Sequence, residues 1–235
     1  ALHRGHLSLV DEAMKESEIS VVSIFVNTKQ FSKGEDLASY PKTLDHDISM
    51  LRSAGVDVLF VPNNQNMYAN GFSTYVSETL LSATYEGASR PNFFRGVTTV
   101  VLKLFNLVRP TFAFFGKKDF QQLLVIEKMV RDLNYPINII RCNTVREASG
   151  LAMSSRNNYF RKNSWNSLGL IYSSLLYAKD LIKKNPNDLS FIKKTLEKKL
   201  LDLTNIVPKP LSLVSPDISP FEIDYVDICE KETLS

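Results

Sequence analysis

Residues 19–26, ISVVSIFV, restrict the fold more than any other segment. The run is rich in β-branched residues and too short for a helix of ordinary length, so it reads as a buried strand. A helical pattern precedes it, with Leu7, Val10, Ala13 and Met14 at i, i+3, i+6 and i+7. Alternation then continues along the chain. A helix is expected over Thr43–Ala54, with Leu44, Ile48 and Leu51 on one face. A strand follows at Val56–Val61, closed by Pro62. Residues 63–96 carry Asn, Gly, Ser and Pro and read as irregular. Val97–Val108 reads as a helix, Thr111–Phe115 as a strand, and Asp119 as the N-cap of a helix running to Leu133. Ile137–Cys142 is the next strand. Strands alternating with helices predict an α/β fold with a largely parallel sheet.

The pattern changes near residue 145. Two long helical segments, 163–184 and 186–203, precede a Pro/Ser-rich stretch, Val207–Pro220, and a last strand, Phe221–Ile228. Two domains are therefore expected, 1–144 and a smaller α+β domain over 145–235. Paired lysines at 183–184, 193–194 and 198–199 read as solvated helix faces.

Composition excludes several classes. A net charge of +3, from 28 Lys+Arg against 25 Asp+Glu, is too balanced to argue for nucleic-acid binding. No run approaches the roughly 18 apolar residues of a membrane span. Cys142 and Cys229 form no CxxC, so a four-cysteine zinc site is excluded and a reducing compartment is expected. The nine glycines include no pair spaced for a GxxxxGK[ST] loop or for GxGxxG. Phosphates, if bound, must be held by other means. The chain begins at Ala1 with a polar cluster where a strand exit is expected, so it reads as a fragment lacking its first strand.

Four polar clusters carry the chemistry. His3-Arg4-Gly5-His6 places two imidazoles at a helix N-terminus, a corner suited to phosphate. The spacing also fits a metal pair, but the remaining histidine is His46 and no third ligand is evident. Asn27–Phe31 supplies amides, with Gln30, after the first strand. Gly116-Lys117-Lys118-Asp119 runs into Gln121-Gln122, combining close backbone approach with a cation and a carboxylate. Met153-Ser154-Ser155-Arg156-Asn157 reads as a mobile phosphate grip. Taken singly, they also read as a pair of surface histidines, a polar loop, an N-capped helix start and a turn between domains.

In order, HRGH, SIFVNTKQF, SYPKT, SRPNFFRGVTTVVLKLFN, FFGKKDFQQ and REASGLAMSSRN resemble the pantoate–β-alanine ligase family. The resemblance is densest from Ala1 to Tyr159. It implies a Rossmann-like nucleotidylyltransferase domain that binds ATP and pantoate, a C-terminal lid domain, and a cytoplasmic homodimer without nucleic-acid or membrane partners. The implied reaction condenses pantoate with β-alanine through a pantoyl adenylate, with Mg²⁺ arriving on ATP and no tightly bound organic cofactor. His3, His6 and Lys118 match catalytic positions, with His6 as proton donor and a protonated imidazole stabilising phosphate charge. ATP contacts are implied for Ala1, Leu2, His3, Arg4, Gly5, His6, Gly116, Lys117, Lys118, Asp119, Val145, Met153, Ser154, Ser155 and Arg156. Gln30, Gln122 and Asn27 match pantoate positions, and Gln30 also lies at the β-alanine position. No protein ligand for the metal is implied.

Four residues depart from the family pattern. Thr28 stands for proline, Lys42 for arginine, Lys117 for glutamate and Ser149 for aspartate. Thr28 is expected to leave the strand exit less rigid. Competing readings are another adenylyl transferase of the same superfamily, a non-catalytic nucleotide- or RNA-binding descendant, and a metal hydrolase built on His3 and His6.

Overall fold

The computed structural model describes residues 1–32, 34–204 and 223–235. The chain divides into two compact units, Ala1–Thr144 and Val145–Ser235.

The first unit opens with helix α1 (Arg4–Glu16), which packs on two later strands, Phe112–Gly116 and Asn138–Cys142. Strand β1 (Val21–Ser23) is shorter than the eight-residue run that predicts it. Its start is set by Ser20, whose N–H and hydroxyl both donate to Asp57 Oδ2 at 2.8 Å. Its partner β2 (Val58–Phe60) lies parallel, in the register Val21↔Val58 and Ser23↔Phe60. Ile24 N–H still donates to Phe60 O at 2.9 Å. Beyond it stands Pro62, which has no N–H to give, and the ladder stops. The buried-strand expectation also fails at the paired valines. Val21 and Val58 are exposed, because no described element covers that face of the ribbon.

Between the strands, α2 (Leu44–Ser53) buries Leu51 and Asp47. Gly55, at φ +82°, turns the chain out of it. The segment read as irregular contains two short helices, α3 (Asn64–Met67) and α4 (Glu86–Ser89). Helix α5 (Phe93–Val108) begins four residues before the expected start. Phe93 and Phe94 belong to the core, and their burial extends the helix backwards through Gly96. Arg109, in the left-handed region, caps its end by donating to Phe105 O, and Pro110 follows.

Strand β3 (Phe112–Gly116) leads through a 3-10 turn, Lys117–Asp119, into α6 (Phe120–Asp132). Asp119 holds the N-cap position but makes no capping bond with its side chain. Strand β4 (Asn138–Cys142) pairs parallel with β3 over five residues. The single parallel sheet expected from the sequence is thus two parallel pairs, β1–β2 and β3–β4, among the described residues. The core lies between α5 and α6, where Phe94, Val97, Phe105, Val125, Ile126 and Met129 pack together.

The second unit holds α7 (Trp165–Lys184) and α8 (Leu189–Thr204). Ala178, Ile192, Leu196 and Leu200 form its core. The expected strand over Phe221–Ile228 is not borne out where it can be followed. Residues 221–222 lie outside the described residues, as does the Val207–Pro220 stretch, and 223–228 make no ladder. Ile223, Val226 and Ile228 instead lay side chains on the helical core, and Asp227 pairs with Lys193 at 3.1 Å. An apolar alternation satisfied by a helix pair needs no second strand. The β content of this unit is one antiparallel bridge, Arg146↔Ala152, among the described residues.

Gly96 is a tight joint between α5 and the Thr28–Gln30 turn. A Cβ there would sit 2.5 Å from Lys29 O and 2.7 Å from Gln30 N, both backbone atoms. Gly96→Ala is expected to destabilise the fold by about 2 kcal/mol. Thermal unfolding should record this as a fall in Tm of about 6 °C.

Candidate active site

His3 is the N-cap of α1. Its Nδ1 accepts from Gly5 N–H at 3.1 Å, and its own N–H donates to His6 Nδ1 at 3.3 Å. This reciprocal arrangement is a capping box built from two imidazoles. Backbone donors fix both tautomers: each Nδ1 accepts, so each Nε2 carries the hydrogen. The rings lie 3.9 Å apart, tilted by 34°.

Burial, then His3, pushes His6 down to about 4. Burial and the Lys118 ammonium lower His3 as well. The pair therefore stands neutral near pH 7. Two Nε2–H donors remain at a helix N-terminus, where first-turn N–H groups also favour an anion.

Asp47, on α2, carries no motif that would single it out in the sequence. It is 1% exposed. Its Oδ1 accepts from Leu2 N–H at 2.7 Å and Thr43 Oγ1 at 3.1 Å, and Ala1 N lies 3.3 Å from Oδ2. Burial would raise its carboxyl, but these hydrogen bonds hold it below the usual carboxylate range. Asp47 thus anchors residues 1–2 ahead of the imidazoles.

The 3-10 turn Thr28–Gln30 follows β1, capped by Asn27 Oδ1, which accepts from Lys29 N–H at 3.3 Å. Asn27 is buried. Its Nδ2 donates to Gln30 Oε1 and to Gly96 O, both at 3.0 Å, and Tyr68 Oη donates to its Oδ1 at 2.6 Å. Gln30 is half-buried. Thr28 Oγ1 donates to Asn64 Oδ1 at 2.9 Å, so the strand exit expected to be looser has its own tether. Beside it, an open cavity of about 530 Å³ is lined by Val26, Thr28, Glu35, Leu37, Lys42 and Asn64.

At the end of β3 a side chain on Gly116 would meet no protein atom within 4 Å, so packing within the protein does not demand glycine there. Lys117 Nζ donates to Asn143 Oδ1 at 2.9 Å, and Lys118 Nζ lies 2.9 Å from Asp119 Oδ1. All three turn residues are exposed. The two glutamines of α6 divide their work. Gln121 is buried, donating to Leu81 O and Thr84 O and accepting from Glu86 N–H. Gln122 is half-buried and makes no hydrogen bond among the described residues that would occupy its amide. Lys118 contributes to lowering both imidazoles.

In the second unit, Met153 N–H donates to Val145 O at 3.0 Å, which brings two of the expected ATP residues side by side. The loop between them turns at Gly150, at φ +90°. Arg146 clamps it by donating to Gly150 O at 3.1 Å and stacking 3.6 Å over the Tyr172 ring. Ser149, at the departure from aspartate, accepts from Leu151 N–H at 3.4 Å through its hydroxyl. Ser154 caps the 3-10 turn Ser155–Tyr159. Ser155 is buried whereas Arg156 is exposed.

The pantoate–β-alanine ligase family profile matches residues 1–235. The pantothenate synthetases of Thermosipho africanus (strain TCF52B) and Thermosipho melanesiensis (strain DSM 12029 / CIP 104789 / BI429) are 47% and 48% identical over 233 residues, 99% of this chain and 78% of each relative. The chain belongs to the pantoate–β-alanine ligase family. The crystal structure of pantothenate synthetase from Thermus thermophilus superposes with a TM-score of 0.87 at 42% identity, covering 100% of this chain and 79% of that one. The pantoate–β-alanine ligase of Francisella tularensis, solved in complex with β-γ ATP and β-alanine, gives a TM-score of 0.72 at 36% identity over 84% of this chain and 74% of that one. This ligase therefore joins pantoate to β-alanine to make pantothenate. Among the described residues, no helix is long and apolar enough to cross a membrane.

The neutral histidines predict how stability responds to acid. The folded ligase holds His6 at about 4, whereas the unfolded chain titrates near the ordinary value of about 6.5. Between these values the unfolded state binds a proton that the folded state refuses, so stability falls as pH drops through this window. An NMR titration of His6 should show a midpoint near 4. Denaturant unfolding at about pH 7 and about pH 4.5 should show a loss that shrinks in His6→Asn. A midpoint near the ordinary value would contradict the assignment.

Proposed function

We propose that the imidazole pair and the Gly116–Asp119 turn hold ATP while Gln30 and Gln122 hold pantoate. The observation that carries this reading is the capping box, which leaves two neutral Nε2–H donors at one helix N-terminus. The Nε2–H donors can hydrogen-bond phosphate oxygens, and phosphate charge near His6 would favour its imidazolium as charge develops. His6 is then the proton donor to the phosphates, with His3 beside it.

Around them, Ala1, Leu2, Arg4 and Gly5 supply the N-terminal wall of the ATP site. Lys118 neutralises phosphate once its exposed pair with Asp119 opens, and Asp119 takes ribose hydroxyls. Lys117 adds charge nearby. The space over Gly116 supports close approach of a nucleotide to the backbone. Val145 lies against adenine, and the Met153–Arg156 loop grips the β- and γ-phosphates, with Ser154 and Arg156 outermost. In this reading residues 1–144 form the ATP/pantoate-binding domain and 145–235 the lid domain.

The reaction runs in two displacements. A pantoate carboxylate oxygen attacks the α-phosphorus, and the bond to the pyrophosphate oxygen breaks. The β-alanine amine then attacks the acyl carbon, loses a proton, and expels AMP. Positioning and charge neutralisation supply most of the rate. Gln30 touches both acceptor substrates, consistent with its place on an anchored turn.

Mg²⁺ is expected to travel with ATP. No three His, Cys, Asp or Glu side chains converge as metal ligands among the described residues. The imidazoles present N–H groups, which repel a hard cation. We assign the ion no protein ligand. A cytoplasmic homodimer completes the reading, and light scattering of the purified enzyme would give its mass.

Pyrophosphate release with ATP, Mg²⁺ and pantoate, with and without β-alanine, tests the assignment. Release should depend on pantoate, and AMP with pantothenate should accumulate only when β-alanine is present. His6→Ala and Lys118→Ala are each expected to slow release by about 10²-fold or more while remaining folded. Unchanged release in both variants would sink it.

A further inference from the structure

The Asn27 amide has a defined polarity. Gly96 O can only accept and Lys29 N–H can only donate, so Nδ2 faces the first and Oδ1 the second. Two consequences follow in opposite directions. Tyr68, meeting Oδ1 at 2.6 Å, must be the donor. Gln30, meeting Nδ2 at 3.0 Å, must offer its oxygen. Its Nε2 hydrogens are then the free end of that amide, with no acceptor among the described residues.

We infer that Tyr68 is a positioning residue for pantoate recognition. Its hydroxyl locks Asn27, and Asn27 turns Gln30 so that N–H groups, and not the carbonyl, meet the substrate's oxygens. This rests on the proposed role of Gln30 at pantoate. Asn27 accordingly acts from behind Gln30, because both of its amide hydrogens are already donated within the protein.

Tyr68 is built to hold that orientation. It follows α3, whose N-cap Asn63 accepts from Asn66 N–H at 2.9 Å. Its N–H donates to Asn64 O at 2.7 Å, and Asn64 in turn receives the Thr28 hydroxyl. Its ring meets Phe72 edge-on at 4.9 Å. Lys29 Nζ lies 5.6 Å from the ring centroid. Both ends of the α3 turn thus brace the start of the Thr28–Gln30 turn. Burial, then Tyr75, pushes the phenol up to about 12, so it stays a donor throughout the neutral range.

The test compares Tyr68→Phe, Gln30→Ala and the double variant in the complete enzyme. Tyr68→Phe is expected to raise the KM for pantoate about tenfold and to leave the KM for ATP within about twofold. It should also weaken discrimination against a pantoate analogue lacking the terminal hydroxyl, since a flipped Gln30 amide no longer donates. In the Gln30→Ala background the same change should alter the pantoate KM by less than about twofold, because contacting groups that act as one unit are not additive. A merely structural role would lower Tm, raise both KM values together and add fully to Gln30→Ala; that pattern overturns the inference. So does an unchanged pantoate KM in Tyr68→Phe when Gln30→Ala raises it. If Gln30→Ala leaves the pantoate KM unchanged, the placement of Gln30 at pantoate fails, and the relay with it.

Discussion

The first unit depends on the backbone of α5 passing against the Thr28–Gln30 turn with no side chain between them. Gly96 makes that approach possible, and its carbonyl then serves as acceptor for Asn27. One residue therefore performs two jobs: it joins the helical core to the end of β1, and it fixes the polarity of a buried amide. An unsatisfied Asn27 would cost about 1–3 kcal/mol in such a place. The network instead satisfies it from Gly96, Lys29, Gln30 and Tyr68. The rigid core of α5 and α6 is thus transmitted to a loop side chain, which is how a loop residue gains the precision of a packed element.

A similar economy governs the imidazole pair. Helices usually begin with Ser, Thr, Asp or Asn. Here His3 accepts from Gly5 N–H and His6 from the N–H of the N-cap itself, so one side of each ring is consumed by the fold and the other is oriented by it. Neutrality follows from burial and proximity, since two imidazolium rings 3.9 Å apart would repel in a partly dry environment. The fixed cation nearby is Lys118, and its exposed position keeps it hydrated. The arrangement separates oriented donors from mobile charge.

Much of this is legible in the sequence, and the limits have physical causes. Helices α1, α2, α6, α7 and α8 follow apolar periodicity. Strand lengths do not, because Pro62 on the partner and Asp57 at the head of the ribbon decide where β1 starts and stops. The start of α5 escapes the pattern because Asn-Phe-Phe-Arg-Gly looks like a loop until Gly96 is seen to permit a helix–turn approach. Residues 223–228 alternate like a strand but spend their apolar side chains on α7 and α8. At the candidate site, HRGH and KQF mark in the sequence the segments that the proposed reading uses. Pattern alone cannot divide Gln121 from Gln122, since burial separates them, nor reveal Asp47, whose partners lie more than forty residues away at Ala1 and Leu2. Tyr68 is hidden for the same reason: its partner is 41 positions upstream.

The departures from the family pattern show how local chemistry can replace what is lost. A proline at position 28 would stiffen the exit by fixing φ. Threonine instead reaches Asn64 with a hydroxyl, exchanging an entropic restraint for a hydrogen bond to the brace that also holds Asn27. Lys117 turns to Asn143. Ser149 keeps an acceptor for Leu151 N–H within the Gly150 turn, where a carboxylate would have added charge beside Arg146. In each case the substituted side chain keeps a partner nearby in the fold. His3, His6 and Gln30 make a stricter demand, since each satisfies the fold with one group and leaves another, of fixed polarity, without a partner among the described residues.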